Sequence, residues 1–299
     1  MKKAAGIVLA GLILALAGCA WWTPHTVFTW ADLIQQLADP GRLARLDMPS
    51  SALISSCDPT GGNDDFNNFL RPGRTPGWVV LADLRGPGYM TRFWFTGAEP
   101  DHPLRFYFDG ESVPRVITTL GDYCGGQEPG LAPLAAHQNY CWFSFVPVPY
   151  QKRLIIETPG GGQQPGGWPR LFYQINYASL PRGQSVESLP RAPTAEDLAA
   201  ARRVREVWNA SLFQRSYPAA AAQVTNGLLA AGAARELWQL AGPGLIREFW
   251  FEPELASLSS PLAREQLLRE LILRSHWDHS SAASVAVPLG DLCGSCWQR

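Results

Sequence analysis

The densest set of side chains capable of chemistry lies at residues 55–66, where the chain reads S-S-C-D-P-T-G-G-N-D-D-F. Three carboxylates, one amide and several hydroxyls fall within these dozen residues. Two adjacent glycines allow the backbone to turn sharply and to approach a ligand closely. Such oxygen-rich groups suit the vicinal hydroxyls of a sugar, and they also suit cations such as calcium. The alternative is a solvated turn stabilised by its own Asp and Asn side chains.

Other carboxylates and aromatic residues are weaker candidates. Two carboxylates that flank a glycosidic bond can act as acid and as nucleophile or base, but spacing in sequence does not give their separation in space. Asp109 and Glu111 surround an Asp-Gly step that is typical of a hairpin turn, which favours a structural role. Four tryptophans could stack on sugars, although a tryptophan in a strand is more often part of the core: Trp94, Trp142, Trp168 and Trp250.

The cysteines and histidines form no recognisable metal or redox motif. Cys293 and Cys296 have C-x-x-C spacing, but they lack both a βαβ context and a second pair of zinc ligands. His276 and His279 flank Asp278 without further ligands nearby. The sequence also lacks a P-loop, a dinucleotide-binding fingerprint, a G-x-S-x-G nucleophile elbow and an H-E-x-x-H motif. We therefore expect neither a metal nor a cofactor.

The N-terminus reads as a targeting signal. Lys2 and Lys3 precede an apolar stretch at residues 4–17, which is short for a membrane span. The following Leu16-Ala17-Gly18-Cys19 resembles the bacterial lipobox, which implies cleavage before Cys19 and lipidation of its thiol. An ordinary signal peptide is the alternative. We expect a protein held by lipid in the bacterial cell envelope, at the outer membrane where the host has one.

Composition favours an all-β body. The net charge of −1 and the lack of a basic stretch argue against nucleic acid as a partner. Abundant Gly and Pro, with 12 Trp, fit many turns and large aromatic core residues. Short apolar runs recur at near-regular intervals, which predicts a sandwich or jelly roll: 78–81, 90–95, 104–108, 116–120, 140–146, 153–157 and 171–177.

Other stretches read differently. A short helix capped by Thr29 and a connector helix at 194–213 are expected. Residues 50–75 read as polar and rich in turns, and 181–193 as a linker.

An internal repeat divides the chain. The segment from Leu104 to Gly125 recurs from Leu273 to Gly294, so that Asp278 follows Asp109 by 169 residues. A shared pattern in one order predicts two modules of one fold. The first copy continues for more than 50 residues past Gly125 and the second for five past Gly294, so we expect the second module to be incomplete. The predicted domains are a signal peptide at 1–18, a first jelly roll at 19–180, a helical linker at 181–240 and a partial second jelly roll at 241–299.

Several motifs together resemble one known family. They run in order from about residue 28 to the C-terminus: Ser55-Ser56-Cys57-Asp58-Pro59-Thr60-Gly61-Gly62-Asn63, Gly86-Pro87-Gly88, Thr91-Arg92-Phe93-Trp94, Tyr107 with Asp109-Gly110-Glu111, Pro147 to Lys152, Tyr173-Gln174-Ile175-Asn176-Tyr177, Trp277-Asp278 and Pro288-Leu289-Gly290-Asp291. This pattern is similar to the domain of unknown function 2961 family, also classed as glycoside hydrolase family 172.

The resemblance implies tandem jelly rolls assembled as homotrimers or higher homo-oligomers. It also implies retaining α-furanosidase chemistry by two glutamates on fructofuranosides or D-arabinofuranosides. Neither glutamate can be placed on a residue of this sequence. The resemblance carries over a sugar-facing loop, and we expect nearby residues to contribute to binding. The predicted substrate-binding residues are Asp58, Asn63, Asp64, Asp65, Arg92 and Trp94.

The sequence also departs from the family pattern. Cys57 and Pro59 stand where the family usually has Tyr and Arg, and His279 replaces the Gly after Asp278. Together with the incomplete second module, these differences favour a second hypothesis from another class. In that hypothesis, the chain is a non-catalytic surface lipoprotein that binds glycans or serves a structural role.

Overall fold

The structure is a computed structural model that describes residues 26–39, 41–42, 45, 48–125, 132–160, 170–210, 225, 227–244, 246, 249, 251 and 260–292. Several residues singled out from the sequence lie outside this part of the chain: Cys19, Trp168, Trp250, Cys293 and Cys296. The chain divides into two compact units, the first ending at Leu245 and the second beginning at Ile246.

Two antiparallel sheets form the body of the first unit. The six-stranded front sheet contains β2 (Ser50–Ser55), β5 (Gly88–Thr96), β8 (Ala135–Gln138), β9 (Cys141–Ser144), β10 (Val148–Tyr150) and β12 (Phe172–Ser179). Its order is β2-β12-β5-β9-β8, with β10 also paired to β5. The five-stranded back sheet contains β3 (Arg71–Pro72), β4 (Trp78–Arg85), β6 (Pro103–Phe108), β7 (Val116–Thr119) and β11 (Arg153–Pro159), in the order β3-β4-β11-β6-β7. A separate parallel pair joins β1 (Thr26–Phe28) to β13 (Gln184–Val186).

The core lies between the two sheets because alternate side chains of each strand point inward. On β5, Phe93 and Phe95 are fully buried, while Arg92 and Trp94, which alternate with them, are only partly buried. The back sheet also supplies inward-facing side chains, each no more than 1% exposed: Leu81, Leu84, Leu104, Phe106, Phe108, Leu154 and Ile156. Full burial of one such side chain contributes about 1.5–3 kcal/mol before the entropic cost of ordering the chain. The predicted all-β-dominated β-sandwich is confirmed.

The described residues include five α-helices. They are α1 (Trp30–Gln35), α2 (Leu120–Cys124), α3 (Ala195–Asn209), α4 (Pro261–Glu270) and α5 (Leu289–Leu292), with a 3₁₀ turn at Gln36–Ala38. Thr29 caps α1, as its position predicts, through a hydrogen bond from the Asp32 amide to its hydroxyl (3.2 Å). Of the helices within the described ranges, none combines the length and the apolar character needed to cross a membrane.

The two longer helices of the first unit pack on each other and on the sandwich. Ile34 of α1 and Val204 of α3 share one buried cluster with Leu134 and Val146. The helix that the sequence presents as a connector is therefore part of the packed body of the first unit.

Three elements differ from the expectations drawn from the sequence. Strand β2 occupies residues expected to be turn-rich, and β13 lies within the expected linker. An edge strand needs only one hydrogen-bonded neighbour, so β2 pairs with β12 from Ser50↔Ser179 to Ser55↔Gln174 without a continuous apolar run. Helix α4 was also missed, although Ser260 at its N-cap and Pro261 at its first turn are recognised start signals.

The repeat in the sequence is also a repeat in structure. In the second unit, β14 (Ile272–Ser275) and β15 (Val285–Pro288) pair in the register of β6 and β7, shifted by 169 residues. Asp109 and Asp278 both adopt a φ of 52° at equivalent turns. The amide of Glu111 donates to the Phe108 carbonyl at 2.8 Å, and the amide of Ser280 donates to the Trp277 carbonyl at 2.9 Å. Helix α5 follows β15 as α2 follows β7.

Asp109 has a structural role that its counterpart does not share. Its carboxylate accepts hydrogen bonds from the amides of Lys152 (2.6 Å) and Arg153 (3.2 Å) and from the hydroxyl of Ser188. It therefore ties the β6–β7 turn to the β10–β11 turn and to the segment that leads to α3. Within the described residues, the Asp278 side chain makes no comparable hydrogen bond.

We expect Asp109→Ala to lower the free energy of unfolding by about 2 kcal/mol more than Asp278→Ala, because only Asp109 leaves several donors unpaired. Both substitutions remove an Asp from a left-handed turn position, so the backbone penalty is matched. Urea denaturation followed by tryptophan fluorescence measures the difference. Equal destabilisation by the two variants would contradict this role of Asp109.

Candidate functional site

The polar loop, residues 56–68, is anchored on the start of β12. The Ser56 hydroxyl accepts a hydrogen bond from the Tyr173 amide (3.0 Å) and donates one to the Asp65 carbonyl (2.8 Å). The Tyr173 hydroxyl in turn donates to the Asn68 carbonyl at 2.7 Å. At the far end of the loop, the Leu171 amide donates to the Asn67 side chain at 3.0 Å. The loop is therefore held at both ends by a strand of the sandwich.

Asp58 organises the tip of the polar loop. Its carboxylate accepts hydrogen bonds from the hydroxyl (2.7 Å) and the amide (2.8 Å) of Thr60 and from the Asp64 amide (3.3 Å). These bonds, with the Thr60 hydroxyl first among them, hold the pKa of Asp58 below its usual value. A methyl group added at Gly62 would overlap the Asp58 carboxylate, so a larger residue there would displace this side chain.

The other predicted residues of the loop divide into two groups. Asp65 accepts a hydrogen bond from the Asp58 amide (2.7 Å), so it supports the loop from within. Asn63 and Asp64 are exposed, and their side chains have no hydrogen-bond partner in the part of the chain that the structure describes. The groups free to meet a ligand are therefore the Asn63 amide and the Asp64 carboxylate, while Asp58 and Asp65 set the shape of the loop.

Arg92 and Trp94 lie on the outer face of β5, opposite two amides of β12. In the register of these strands, Asn176 faces Arg92 and Gln174 faces Trp94. One guanidinium nitrogen of Arg92, Nη1, donates to Gln174 Oε1 at 2.9 Å and to Asn176 Oδ1 at 3.3 Å. Gln174 and Asn176 belong to the stretch from Tyr173 to Tyr177 that resembles the family, but they are not among the binding residues predicted from the sequence. The alternation of polar and buried residues in this stretch was the available signal.

The polar loop and this outer face lie on the same sheet. Ser55, the residue before the loop, pairs with Gln174, which pairs in turn with Trp94. Neighbouring strands are about 4.8 Å apart, so Ser55 and Trp94 are roughly 10 Å apart across the sheet. We use the name front patch for Ser55, Arg92, Trp94, Gln174 and Asn176.

The aromatic residues separate into core and surface positions. Trp142 is 4% exposed and its indole N–H donates to the Ala98 carbonyl at 3.1 Å, so it belongs to the core. Phe143, the register partner of Trp94, lies beside the front patch. At the other end of this face, Phe172 contacts Phe66 of the polar loop with ring centroids 6.0 Å apart. An extended surface with aromatic borders therefore runs from the loop to the middle of the sheet.

The described cysteines are Cys57, Cys124 and Cys141, and all three are free thiols. Burial raises the pKa of the Cys124 thiol to about 12, so that it behaves as an apolar core residue. Cys57 is exposed at the base of the polar loop. Over the described ranges, His, Cys, Asp and Glu side chains form no cluster suited to a metal ion.

The chain matches a known protein-family model. Residues 49–197 match the family model described as the GH172 first beta-sandwich domain. The matched range begins just before β2, ends inside α3, and contains both the polar loop and the front patch. No curated protein matches the chain.

We expect Thr60→Val to raise the pKa of Asp58 toward its usual value, because it removes the hydroxyl donor that lowers it most. A depressed pKa stabilises the fold above the unfolded-state pKa, and that stabilisation is lost as pH falls through the folded-state pKa. In Thr60→Val, the free energy of unfolding should therefore fall less steeply as pH drops through the pKa of Asp58. Carboxyl ¹³C NMR titration measures the pKa, and Thr60→Ser, which keeps the hydroxyl, is the control. An unchanged Asp58 pKa in Thr60→Val would refute the assignment.

Proposed function

Since the chain belongs to the GH172 glycoside hydrolase family through its first β-sandwich, we propose that it binds furanosidic glycans and acts on them as a hydrolase. The observation that carries the proposal is the family match, which spans the polar loop and the front patch together. The proposed substrates are fructofuranosides or D-arabinofuranosides, and the proposed chemistry is a retaining mechanism with two carboxylates.

The exposed groups of the site suit sugar hydroxyls. The Asn63 amide can donate and accept, and the Asp64 carboxylate can accept from two adjacent hydroxyls. Trp94 offers an apolar ring edge or face on which the carbon side of a sugar can pack. A furanoside lying along the front sheet would meet the loop at one end and the aromatic border at the other.

The acid–base properties of the loop limit the roles of its carboxylates. A general acid must hold a proton near the working pH, and therefore needs a raised pKa. The pKa of Asp58 is lowered, and its oxygens are engaged by Thr60 and Asp64. We therefore assign Asp58 to the shape of the loop rather than to the role of general acid. Hydrolysis then needs carboxylates from outside the front patch, which itself contains none.

The lack of a carboxylate in the front patch favours a second candidate function. Among the three loop carboxylates, only Asp64 is free of hydrogen bonds within the described residues. A site with hydroxyl-binding groups but without a free pair of carboxylates suits recognition without cleavage. The alternative is therefore a non-catalytic glycan-binding or structural surface lipoprotein.

The proposed location is the bacterial cell envelope, with a lipid on Cys19 as the anchor and assembly into homotrimers or higher homo-oligomers. The support is the Leu16-Ala17-Gly18-Cys19 motif for the anchor and the family resemblance for the assembly. Because a single Cys carries the lipid in this proposal, we expect Cys19→Ser to abolish labelling by a radioactive fatty acid. Cys57→Ser should leave the labelling intact. Unlabelled wild-type protein would contradict the anchor.

Binding and cleavage can be tested with the full chain and an arabinofuranosyl oligosaccharide. We expect saturable binding by calorimetry, and we expect Trp94→Ala to weaken it about tenfold through loss of ring packing. Trp78→Ala is the matched control, because Trp78 lies on the back sheet under the guanidinium of Arg105, 3.6 Å from its ring centre. No binding by well-folded wild-type protein would refute the proposal.

An aryl α-D-arabinofuranoside and an aryl α-fructofuranoside then separate the two candidate functions. Steady release of the aryl group by the wild-type protein supports a hydrolase. Binding of the oligosaccharide without release from either substrate supports the non-catalytic alternative.

A further inference from the structure

We propose that the front patch recognises an anionic group on the glycan, and that Gln174 and Asn176 recognise it together with Arg92. This inference rests on the proposed function, and it specifies which glycans the patch prefers. The neutral furanosides of that proposal would bind, while versions carrying a carboxylate or a phosphate ester would bind more tightly.

The first argument is the direction of the hydrogen bonds. A guanidinium can only donate, so the amide groups of Gln174 and Asn176 must turn their oxygens toward Arg92. Their NH₂ groups therefore point away from Arg92. Within the described residues, neither NH₂ group donates to another protein atom. The two amides are left as oriented donors.

The second argument is the unbalanced charge of Arg92. Three other arginines of this unit have carboxylate partners: Arg71 and Arg153 contact Asp83 at 2.7 Å, and Arg115 contacts Glu111 at 2.8 Å. Within the described ranges, Arg92 makes no ion pair, although it is partly buried. A partly desolvated cation gains more from an anion than an exposed one does.

The third argument is that the polar loop supplies no carboxylate partner to Arg92. Ser56, where the loop begins, pairs with Tyr173, which lies three residues along β12 from Asn176. At 3.3–3.4 Å per residue these two positions on β12 are roughly 10 Å apart. Within the described ranges, none of the loop carboxylates forms an ion pair with Arg92.

The surroundings strengthen the attraction. Trp94 lies two residues from Arg92 on the same face of β5. Phe143 is the cross-strand neighbour of Trp94. The Phe143 ring contacts Phe145, which contacts Trp208 of α3 at 5.9 Å between ring centroids. An apolar border of this kind limits water beside the guanidinium and lowers the local dielectric constant.

A surface rich in oriented donors also discriminates between ligands. Hydrogen bonds to an ionised acceptor are roughly twice as strong as those between neutral groups, so these donors favour an anionic oxygen over a neutral hydroxyl. A carboxylate or phosphate oxygen only accepts, so it satisfies the guanidinium and both amides together. The unused edge of the guanidinium matches two oxygens of one anion, as arginine does in its bidentate pairs.

The test compares one arabinofuranosyl oligosaccharide in three forms: neutral, oxidised to a carboxylate at a terminal primary hydroxyl, and phosphorylated at that hydroxyl. Calorimetry with the full chain gives each Kd at low and at physiological salt. We expect at least one anionic form to bind about tenfold more tightly than the neutral form. The preference should fall as salt rises. The comparison of the two anions identifies which group fits.

Substitutions test which side chains cause the preference for the anionic forms. With Arg92→Gln, the Kd values of the anionic forms should become equal to the Kd of the neutral form measured with the same variant, and Arg92→Lys should restore part of the preference. Gln174→Leu and Asn176→Leu should each reduce it. Arg182→Gln, which removes an exposed charge elsewhere in the same unit, is the control and should leave it unchanged. Far-UV circular dichroism and thermal melting confirm that each variant is folded.

The outcomes separate this inference from the function on which it rests. Equal binding of the three forms by the wild-type protein, or a preference that survives Arg92→Gln, overturns the inference alone. Failure of the wild-type protein to bind any form overturns the proposed function and the inference together.

Discussion

The pairing of β5 with β12 is the interaction on which most of this structure depends. The ladder runs from Thr96↔Phe172 to Gly88↔Ser179 and joins the two longest strands of the front sheet. On its inner face it brings Phe93 and Ile175 into the core. On its outer face it places Arg92 beside Asn176. A shift of one residue would exchange these faces, because side chains alternate along a strand.

The same ladder positions the polar loop. Strand β2 pairs with the free edge of β12, and the Ser56 hydroxyl extends that contact to the Tyr173 amide. Loop residues that could have been independent ligands are partly engaged in holding this arrangement, Asp58 through Thr60 and Asp65 through the Asp58 amide. A rigid loop lowers the entropic cost of ordering the site when a sugar binds. The site therefore gains preorganisation at the expense of free carboxylates.

Membership of the GH172 family gives this geometry its context. The matched domain is a β-sandwich, and a sandwich by itself supports many unrelated functions. The case for carbohydrate therefore depends on the family together with the groups displayed on one sheet face. Hydrogen-bonding amides and an aromatic ring, set on rigid strands, are a chemically sensible surface for a polyhydroxylated ligand.

Much of the fold was visible in the sequence because strong local signals agree with the tertiary structure. The apolar runs around Phe93, Phe106 and Ile155 alternate or persist as buried strands require, and each forms a strand. Thr29 caps its helix through a local contact, which needs no distant partner. Strand β2 could not be predicted in the same way, because an edge strand is stabilised by the neighbour with which it pairs. Its residues from Ser50 to Ser55 carry little apolar pattern of their own.

In the candidate site, too, some features can be seen in the sequence and others depend on distant partners. Three features can be read from the sequence alone: the polar cluster at residues 55–66, the recurring apolar runs and the repeat at a spacing of 169 residues. Each is a pattern of neighbouring or regularly spaced residues. The hydrogen bonds from Arg92 to Gln174 and Asn176 depend on the fold, because these residues lie more than 80 positions away in the chain. The fold also engages Asp58 within its own loop, while the Asp64 carboxylate has no hydrogen-bond partner among the described residues. These outcomes follow from strand register and from hydrogen-bond geometry, which no single stretch of sequence contains.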